Sequence, residues 1–173
     1  MGQFVASFSP RWVVLGFLAL TVSACASADV SAINGASQEQ ISSANVSEVE
    51  VKFVTPRPHE GLKATLEDRL RTAMPTCATG SVAHRLQVTV TDFEDQNVAK
   101  SILIGDEIEL AGRVELIDAA TGAQTGEYFV TRTFFWGGFI GAAMMSDAEA
   151  SLSDSFAESV CGEVFGVEYK SDS

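Results

Sequence analysis

Histidine and basic side chains are scarce in this chain, and the scarcity excludes more than the rest of the composition suggests. Its 173 residues include two histidines and eleven lysines and arginines, against twenty-three aspartates and glutamates, for a net charge of −12. Nucleic acids and anionic lipid surfaces are bound through clustered Lys and Arg, so neither is an expected charge-driven partner. The acids are interspersed rather than run together, which reads as a solvating surface and not an acidic tail. There are three cysteines, with no CxxC and no HxxxH, so no metal centre is expected. GxSxG, P-loop, GxGxxG and HExxH motifs are all absent. No apolar run approaches the roughly 20 residues needed to span a bilayer.

What is present begins at the N-terminus. Met1 to Arg11 carry one basic side chain and no acid. Trp12 to Val22 form a compact apolar run, closed by Val22-Ser23-Ala24-Cys25. This is the n-region, h-region and small-residue pattern of a secretory signal peptide. The cysteine after the small residues resembles the lipobox of bacterial lipoproteins. That resemblance implies residues 1–24 as signal peptide and a diacylglyceryl lipid on Cys25, with palmitate-type acyl chains as the membrane anchor. Ala26 after the cysteine favours the outer membrane, with the protein facing the periplasm. The competing cut, after Ala26-Ser27-Ala28, would discard Cys25 and release a soluble periplasmic or secreted form. Residues 25–45 are rich in Ala and Ser, with few large apolar side chains, and are expected to be a flexible tether.

Residues 46–173 have the length of one small domain. Val49, Val51 and Phe53 alternate with charged residues as in a half-buried strand. Leu62, Leu66 and Leu70 make the apolar stripe of a helix from about Glu60 to Met74, which Pro75 is expected to stop. Leu86, Val88 and Val90 alternate as a second strand. Ile108, Leu110, Gly112, Val114 and Leu116 form the clearest alternating pattern of the chain. Asp118 to Gly122 reads as a turn with glycine at a positive-φ position, and Glu127 to Trp136 as the returning strand of a hairpin. Ser146 and Glu149 have capping-box spacing, before a helix from about Asp147 to Val164 with Leu152, Phe156 and Val160 on its buried face. The order β-α-β-β-β-α describes a two-layer α+β domain, a mostly antiparallel sheet covered by two helices. With Cys25 lipidated or removed, Cys77 and Cys161 remain, and an even number in an oxidising compartment reads as a disulfide. Two buried free thiols are the alternative.

Candidate chemistry is thin. His59 and His84 have no nucleophile or carboxylate placed beside them by local spacing, and read as surface or structural histidines. Asp92, Glu94 and Asp95 lack the spacing and obligatory glycine of a calcium loop. Glu107 and Glu109 are simplest as the wet face of a strand. No catalytic residue, cofactor or metal ligand is expected. Phe134-Phe135-Trp136-Gly137-Gly138-Phe139-Ile140-Gly141 stands apart, because clustered aromatics with glycines are costly to leave in water. Phe135, Trp136, Phe139 and Ile140 are therefore candidates for contact with a partner protein or a membrane. A buried crossover, in which glycines let the chain pass close to the sheet, is the competing reading.

Gly112 to Gly122 (GRVELIDAATG), Gly137 to Ala143 (GGFIGAA) and Phe156 to Val160 (FAESV) resemble a group of proteobacterial envelope lipoproteins of unknown function. The resemblance implies a non-catalytic lipoprotein, acting as an accessory or interaction module for an envelope protein assembly. A periplasmic small-ligand or lipid-binding lipoprotein, with a cleft between helix and sheet near the aromatic loop, is the alternative.

Overall fold

The computed structural model describes residues 26–54, 60–94, 106–136 and 148–171. Five strands make one sheet: β1 (Ala26–Asn34), β2 (Ala44–Phe53), β3 (Val82–Glu94), β4 (Asp106–Asp118) and β5 (Gln124–Trp136), in the spatial order β1-β5-β4-β3-β2. Only β2 and β3 are parallel. Parallel neighbours need a crossover, here the helix α2 (Glu60–Cys77). Two further helices among the described residues are α1 (Gln38–Ser43) and α3 (Ala148–Ser159), and α3 runs into a π-helical turn, Val160–Val164. The fold is mixed α+β, with a mostly antiparallel sheet and its helices packed on one face.

The alternation in β4 builds that face. Ile108, Leu110, Val114 and Leu116 are buried, and so are Leu86, Val88 and Val90 of β3. Leu62, Leu66 and Leu70 of α2 lie on them, four residues apart, each 0 % exposed. Phe156 of α3, also fully buried, packs over Gly112. A Cβ on Gly112 would lie 3.4 Å from the phenyl ring, so the glycine in this core-facing position makes room for the aromatic. At the hairpin, Gly122 has φ +71°. Asp118 closes the turn by accepting from the Ala120 and Thr121 N–H groups at 3.0 and 2.7 Å, an Asx turn. These bonds, with one from the Thr121 hydroxyl, hold the Asp118 carboxyl below its ordinary pKa.

Helices α2 and α3 run side by side in the same direction. Gly61 lies beside Glu149, Arg69 beside Asp154, and Cys77 is joined to Cys161 by a disulfide with a Cα–Cα distance of 5.3 Å. The expected bridge is thus present and staples the C-terminal ends of the helical pair.

The tether expected over residues 25–45 is corrected by the structure from residue 26 onward. Residues 26–34 are the edge strand β1, paired with β5 from Ala26 opposite Phe134 to Asn34 opposite Glu127. Ser37 and Gln40 then form a reciprocal capping box, with Ser37 N–H donating to Gln40 Oε1 at 2.8 Å and Gln40 N–H to Ser37 Oγ at 3.2 Å. Among the described side chains of β1, Val30 alone packs partly on the core. The strand's order comes from the backbone ladder supplied by β5, and side-chain composition does not report a ladder. From β1 the chain crosses to the opposite edge of the sheet, a width of about 19 Å at four strand spacings. Ala36 N–H donates to the Tyr128 hydroxyl at 3.0 Å on the way. The crossing ends against Gly80, where a Cβ would meet the Ser43 carbonyl carbon at 2.1 Å.

Pro75 does not stop α2, which continues to Cys77. The proline is exposed and sits in the last turn, where its missing N–H costs one helical bond. Ala78 N–H still donates to the Met74 carbonyl at 2.9 Å, and the disulfide fixes Cys77. The expected capping serine, Ser146, lies outside the described residues.

Candidate functional site

The two edges of the sheet are treated differently. β2 is guarded by its own crossover helix. Val51 N–H donates to Glu67 Oε1 at 3.1 Å, and the Val49 carbonyl accepts from Arg71 Nη2 at 3.4 Å. Glu67 and Arg71, one helical turn apart, also pair with each other at 3.5 Å. The i,i+4 pair therefore occupies backbone groups of β2 that another strand would need, a standard means of blocking edge-to-edge pairing. Periodicity shows these two residues only as the outer side of a helix; their role appears once α2 lies along β2.

Among the described residues β1 has no such guard. No other described strand pairs with its outer side, and Ala28, Asp29, Ser31, Ala32 and Ile33 are exposed. Ile33 keeps 53 % of its surface in water. The strand has one charge, Asp29, and neither lysine nor proline. A row of free N–H and C=O groups flanked by small side chains is suited to accept an added strand. The sequence held one signal against a tether here, the S-x-x-Q spacing of Ser37 and Gln40. Nothing in residues 26–34 marked an edge strand.

The sheet face opposite the helices is polar. Lys52 Nζ pairs with Glu50 at 3.1 Å and donates to Gln87 Oε1 at 2.9 Å; Gln87 Nε2 donates to Glu115 Oε2 at 2.9 Å. Glu115 stands directly opposite Glu127 on β5. That like-charge pairing is unfavourable, and Arg113 relieves it by pairing with Glu127, as does Gln124 Nε2 at 2.9 Å. Glu109 lies on this same side of β4. For Glu107 the backbone alone is described, within β4 and opposite Phe135.

The remaining sequence candidates do not converge. His84 is buried, its Nδ1 2.8 Å from the Val82 carbonyl, and stands opposite Asp118 in the β3–β4 ladder. This is a histidine tied into a strand end. His59 and Asp95 lie outside the described residues. Asp92 and Glu94 end β3, with Glu94 paired in register to Glu109. Among the described residues no group of three His, Cys, Asp or Glu could hold a metal ion. A groove of about 410 Å³ lies between β2 and the end of α2, lined by Val46, Glu48, Arg71, Met74 and Pro75. It is at the β2 edge of the sheet, with β3 and β4 between β2 and β5. Among the described residues the best-buried acid is Asp154, 4 % exposed and 3.0 Å from Arg69. Burial pushes its carboxyl above the ordinary value, Arg69 opposes that and Glu158 adds to it. Arg132 donates from Nε to the Ser155 carbonyl at 2.9 Å, and burial lowers its pKa against the pull of Glu158 and Glu163. Both contacts lie between helix and helix or helix and sheet, and read as structural.

The aromatic candidates are placed in part. Phe135 and Trp136 are the last residues of β5, and Trp136 stands opposite Asp106. Phe139, Ile140 and Cys25 lie outside the described residues. The start of β1 is at this same end of the sheet, which is also where the chain leaves β2, β3 and β5. The disulfide and the hairpin turn are at the opposite end. No helix among the described residues is long and apolar enough to cross a membrane.

No protein-family model matches the chain, and no curated protein sequence matches it. Solved structures do. A PelC dodecamer from Paraburkholderia phytofirmans has 16% sequence identity and a TM-score of 0.44, over 76% of this chain and 94% of that chain. A candidate lipoprotein from Caulobacter crescentus CB15 has 14% identity and a TM-score of 0.45, over 75% and 92%. Protein XCC0632 from Xanthomonas campestris, of family model DUF330, has 13% identity and a TM-score of 0.38, over 67% and 84%.

Proposed function

We propose that this chain is a non-catalytic envelope lipoprotein, anchored in the outer membrane by a lipid on Cys25, whose periplasmic domain is an interaction module for an envelope protein. The export pattern of residues 1–25 supports the address. The observation that carries the activity is the contrast between the two sheet edges: β2 is blocked by Glu67 and Arg71, and among the described residues nothing pairs with the outer side of β1, Ala26–Asn34. The partner adds a strand to β1, main-chain hydrogen bonds supply the affinity, and the exposed side chains of β1 select the partner. Phe135 and Trp136 lie beyond the first residue that β1 pairs, at the end of the sheet and off its lateral edge.

The test is cross-linking in cells that express tagged wild type, Cys25→Ser, and a Ser31→Lys/Ile33→Lys double variant, followed by membrane fractionation and identification of what co-purifies. Both lysines replace exposed residues, so the fold is retained while the edge gains the charge that discourages pairing. One stoichiometric envelope partner is expected with wild type. It should be lost in the lysine variant at unchanged melting temperature, and Cys25→Ser should leave the membrane fraction. A partner retained at wild-type level by the lysine variant removes the edge from the reading. Wild-type fractionation of Cys25→Ser removes the lipid anchor.

A further inference from the structure

We propose that, where no partner is bound, the β1 edge is closed by β1 of a second copy of this chain, antiparallel and centred on Val30. The proposal rests, like the function proposed above, on β1 accepting a strand; it goes beyond that reading in naming what occupies the edge at rest. Strand edges are blunted by lysine, proline, bulges or a covering element, because they otherwise pair with whatever strand they meet. β2 has such a device in Glu67 and Arg71. In β1 the pairing with β5 is regular from Ala26 to Ala32 and shifts only between Ala32 and Asn34. Its one charge is Asp29. Among the described residues no strand pairs with its outer side. A second β1 is the one strand present wherever this chain is.

The strand is matched to itself in one register. Val30 stands opposite the buried Val130 of β5, so Ala28, Val30 and Ala32 face the helical side and Asp29, Ser31 and Ile33 the other. Directly opposed residues of antiparallel strands share a face. A two-fold axis through Val30 therefore sets Ala28 against Ala32 of the second copy, Val30 against Val30, and Asp29 against Ser31. A shift of one residue would oppose the apolar set to the polar set. Centring on Asp29 brings two carboxylates together, and centring on Ser31 sets each carboxylate against Ile33. Centring on Ala28 leaves Ser31 to Asn34 without partners. The Val30 register pairs the strand along Ala26–Asn34 and gives each carboxylate a hydroxyl that can donate to it. The layers also fit. Ala28 and Ala32 face the helical side and are exposed, so the described helices stop short of β1 and the two edges can meet. The net charge of −12 opposes self-association, but residues 26–34 hold one of the twenty-three acids. The contact is a ladder and little more, small beside the roughly 1,200–2,000 Å² of a stable interface. The pair is therefore reversible, and a partner that adds side-chain contacts to the same ladder displaces it.

The test exchanges charge within the strand. Ser31→Asp sets a carboxylate against Asp29 of the second copy at two symmetry-related positions. Asp29→Ser/Ser31→Asp has the composition of wild type and restores the hydroxyl–carboxylate contact with its sides exchanged. Both positions are exposed, so the three urea midpoints should agree. Full-length protein, purified in detergent without a partner, is followed by light scattering through a dilution series. Wild type and the double exchange should reach dimer mass at similar concentrations, and Ser31→Asp should need about ten-fold more. The register is read with thiols on a Cys25→Ser background. Asp29→Cys and Ser31→Cys chains should form an oxidised dimer when mixed. Neither should do so alone, because like positions are then about 8 Å apart, beyond disulfide reach. Wild type that is monomeric at every concentration, or Ser31→Asp that associates as wild type does, overturns the inference. So does self-linking at residue 29 or 31, which moves the centre away from Val30. In each case the proposed function still stands if Ser31→Lys/Ile33→Lys loses its partner in cells. A dimer in this register, with the partner retained by that lysine variant, leaves the inference standing and removes the edge from the proposed function.

Discussion

Replacing Cys77 and Cys161 together by alanine should remove most of the stability margin of the domain. The bridge closes a loop of sequence separation 84, and loop-closure entropy alone assigns it about 4.6 kcal/mol at 25 °C. That figure is a ceiling, since measured bridges of this size commonly return about 2–4 kcal/mol. Loss of the sulfur atoms adds a packing term, because Cys161 is 0 % and Cys77 5 % exposed. A domain of this size has a total of roughly 5–15 kcal/mol, so a loss of about 3–4 kcal/mol is a large share of it. In urea, with a slope of about 1.5–2 kcal/mol/M, the midpoint should fall by about 2 M. Hydrogen exchange should accelerate most at Met74–Ala78 and Val160–Phe165, where the bridge holds the last turn of α2 past Pro75. Buried sulfurs also protect the bridge kinetically: folded wild type should resist reductant until it opens, and then lose stability to the level of the double variant. A double variant within ~1 kcal/mol of wild type would refute the argument. So would a wild type whose urea midpoint is the same with and without prolonged reduction.

Two further stability predictions follow from single sites. Gly80→Ala places a Cβ 2.1 Å from the Ser43 carbonyl carbon and oxygen and 2.6 Å from Ala44 N, all backbone atoms, and should cost about 2–3 kcal/mol or more. Gly162→Ala enters open space and should be neutral or gain up to about 1 kcal/mol; equal urea midpoints for the pair would contradict the close crossing of α1 over Gly80. For Asp154, burial raises the folded-state pKa above the ordinary 3.8. The folded state then binds more protons than the unfolded state between 3.8 and that raised value. The contribution of Asp154 is fully present below the ordinary pKa and is lost as pH rises through the folded one. Asp154→Asn should lack this loss, so its stability relative to wild type should increase with pH across the window. At neutral pH it should lie within about 1 kcal/mol of wild type or above it, because Arg69, 39 % exposed, can turn to water. Stability of Asp154→Asn that falls relative to wild type as pH rises, in urea titrations, would contradict the sign.

The parts of the fold legible in the sequence are those whose side chains carry the period of the element. β4 alternates cleanly because one face meets α2 and α3 and the other meets water. The leucines of α2 recur every four residues because one stripe is buried. The Asp-Ala-Ala-Thr-Gly turn needs a carboxylate to cap it and a glycine at positive φ, and both are local requirements. β1 carries no such record. Ala28, Val30 and Ala32 do face the helical side, but two of the three are small and exposed, and the strand exists because β5 offers it a hydrogen-bonding edge. Pro75 was misleading for a related reason: a proline is judged by the bond it removes, and here the turn is held by Ala78 and a covalent tie from another helix. The candidate edge site was invisible for the same cause as β1, since an open edge is a property of sheet order.

The sequence by itself determined the export pattern, the acidic surface, the α+β class, the hairpin and the two helices that supply the core, because each depends on residues near one another in the chain. The tertiary structure alone decided which strand lies at each edge among the described residues, that Glu67 and Arg71 occupy backbone groups of one edge, and that residues 26–34 form the other. Those features depend on which backbone groups find partners across long sequence distances, and a backbone N–H or C=O reads the same in every residue until its neighbour is in place.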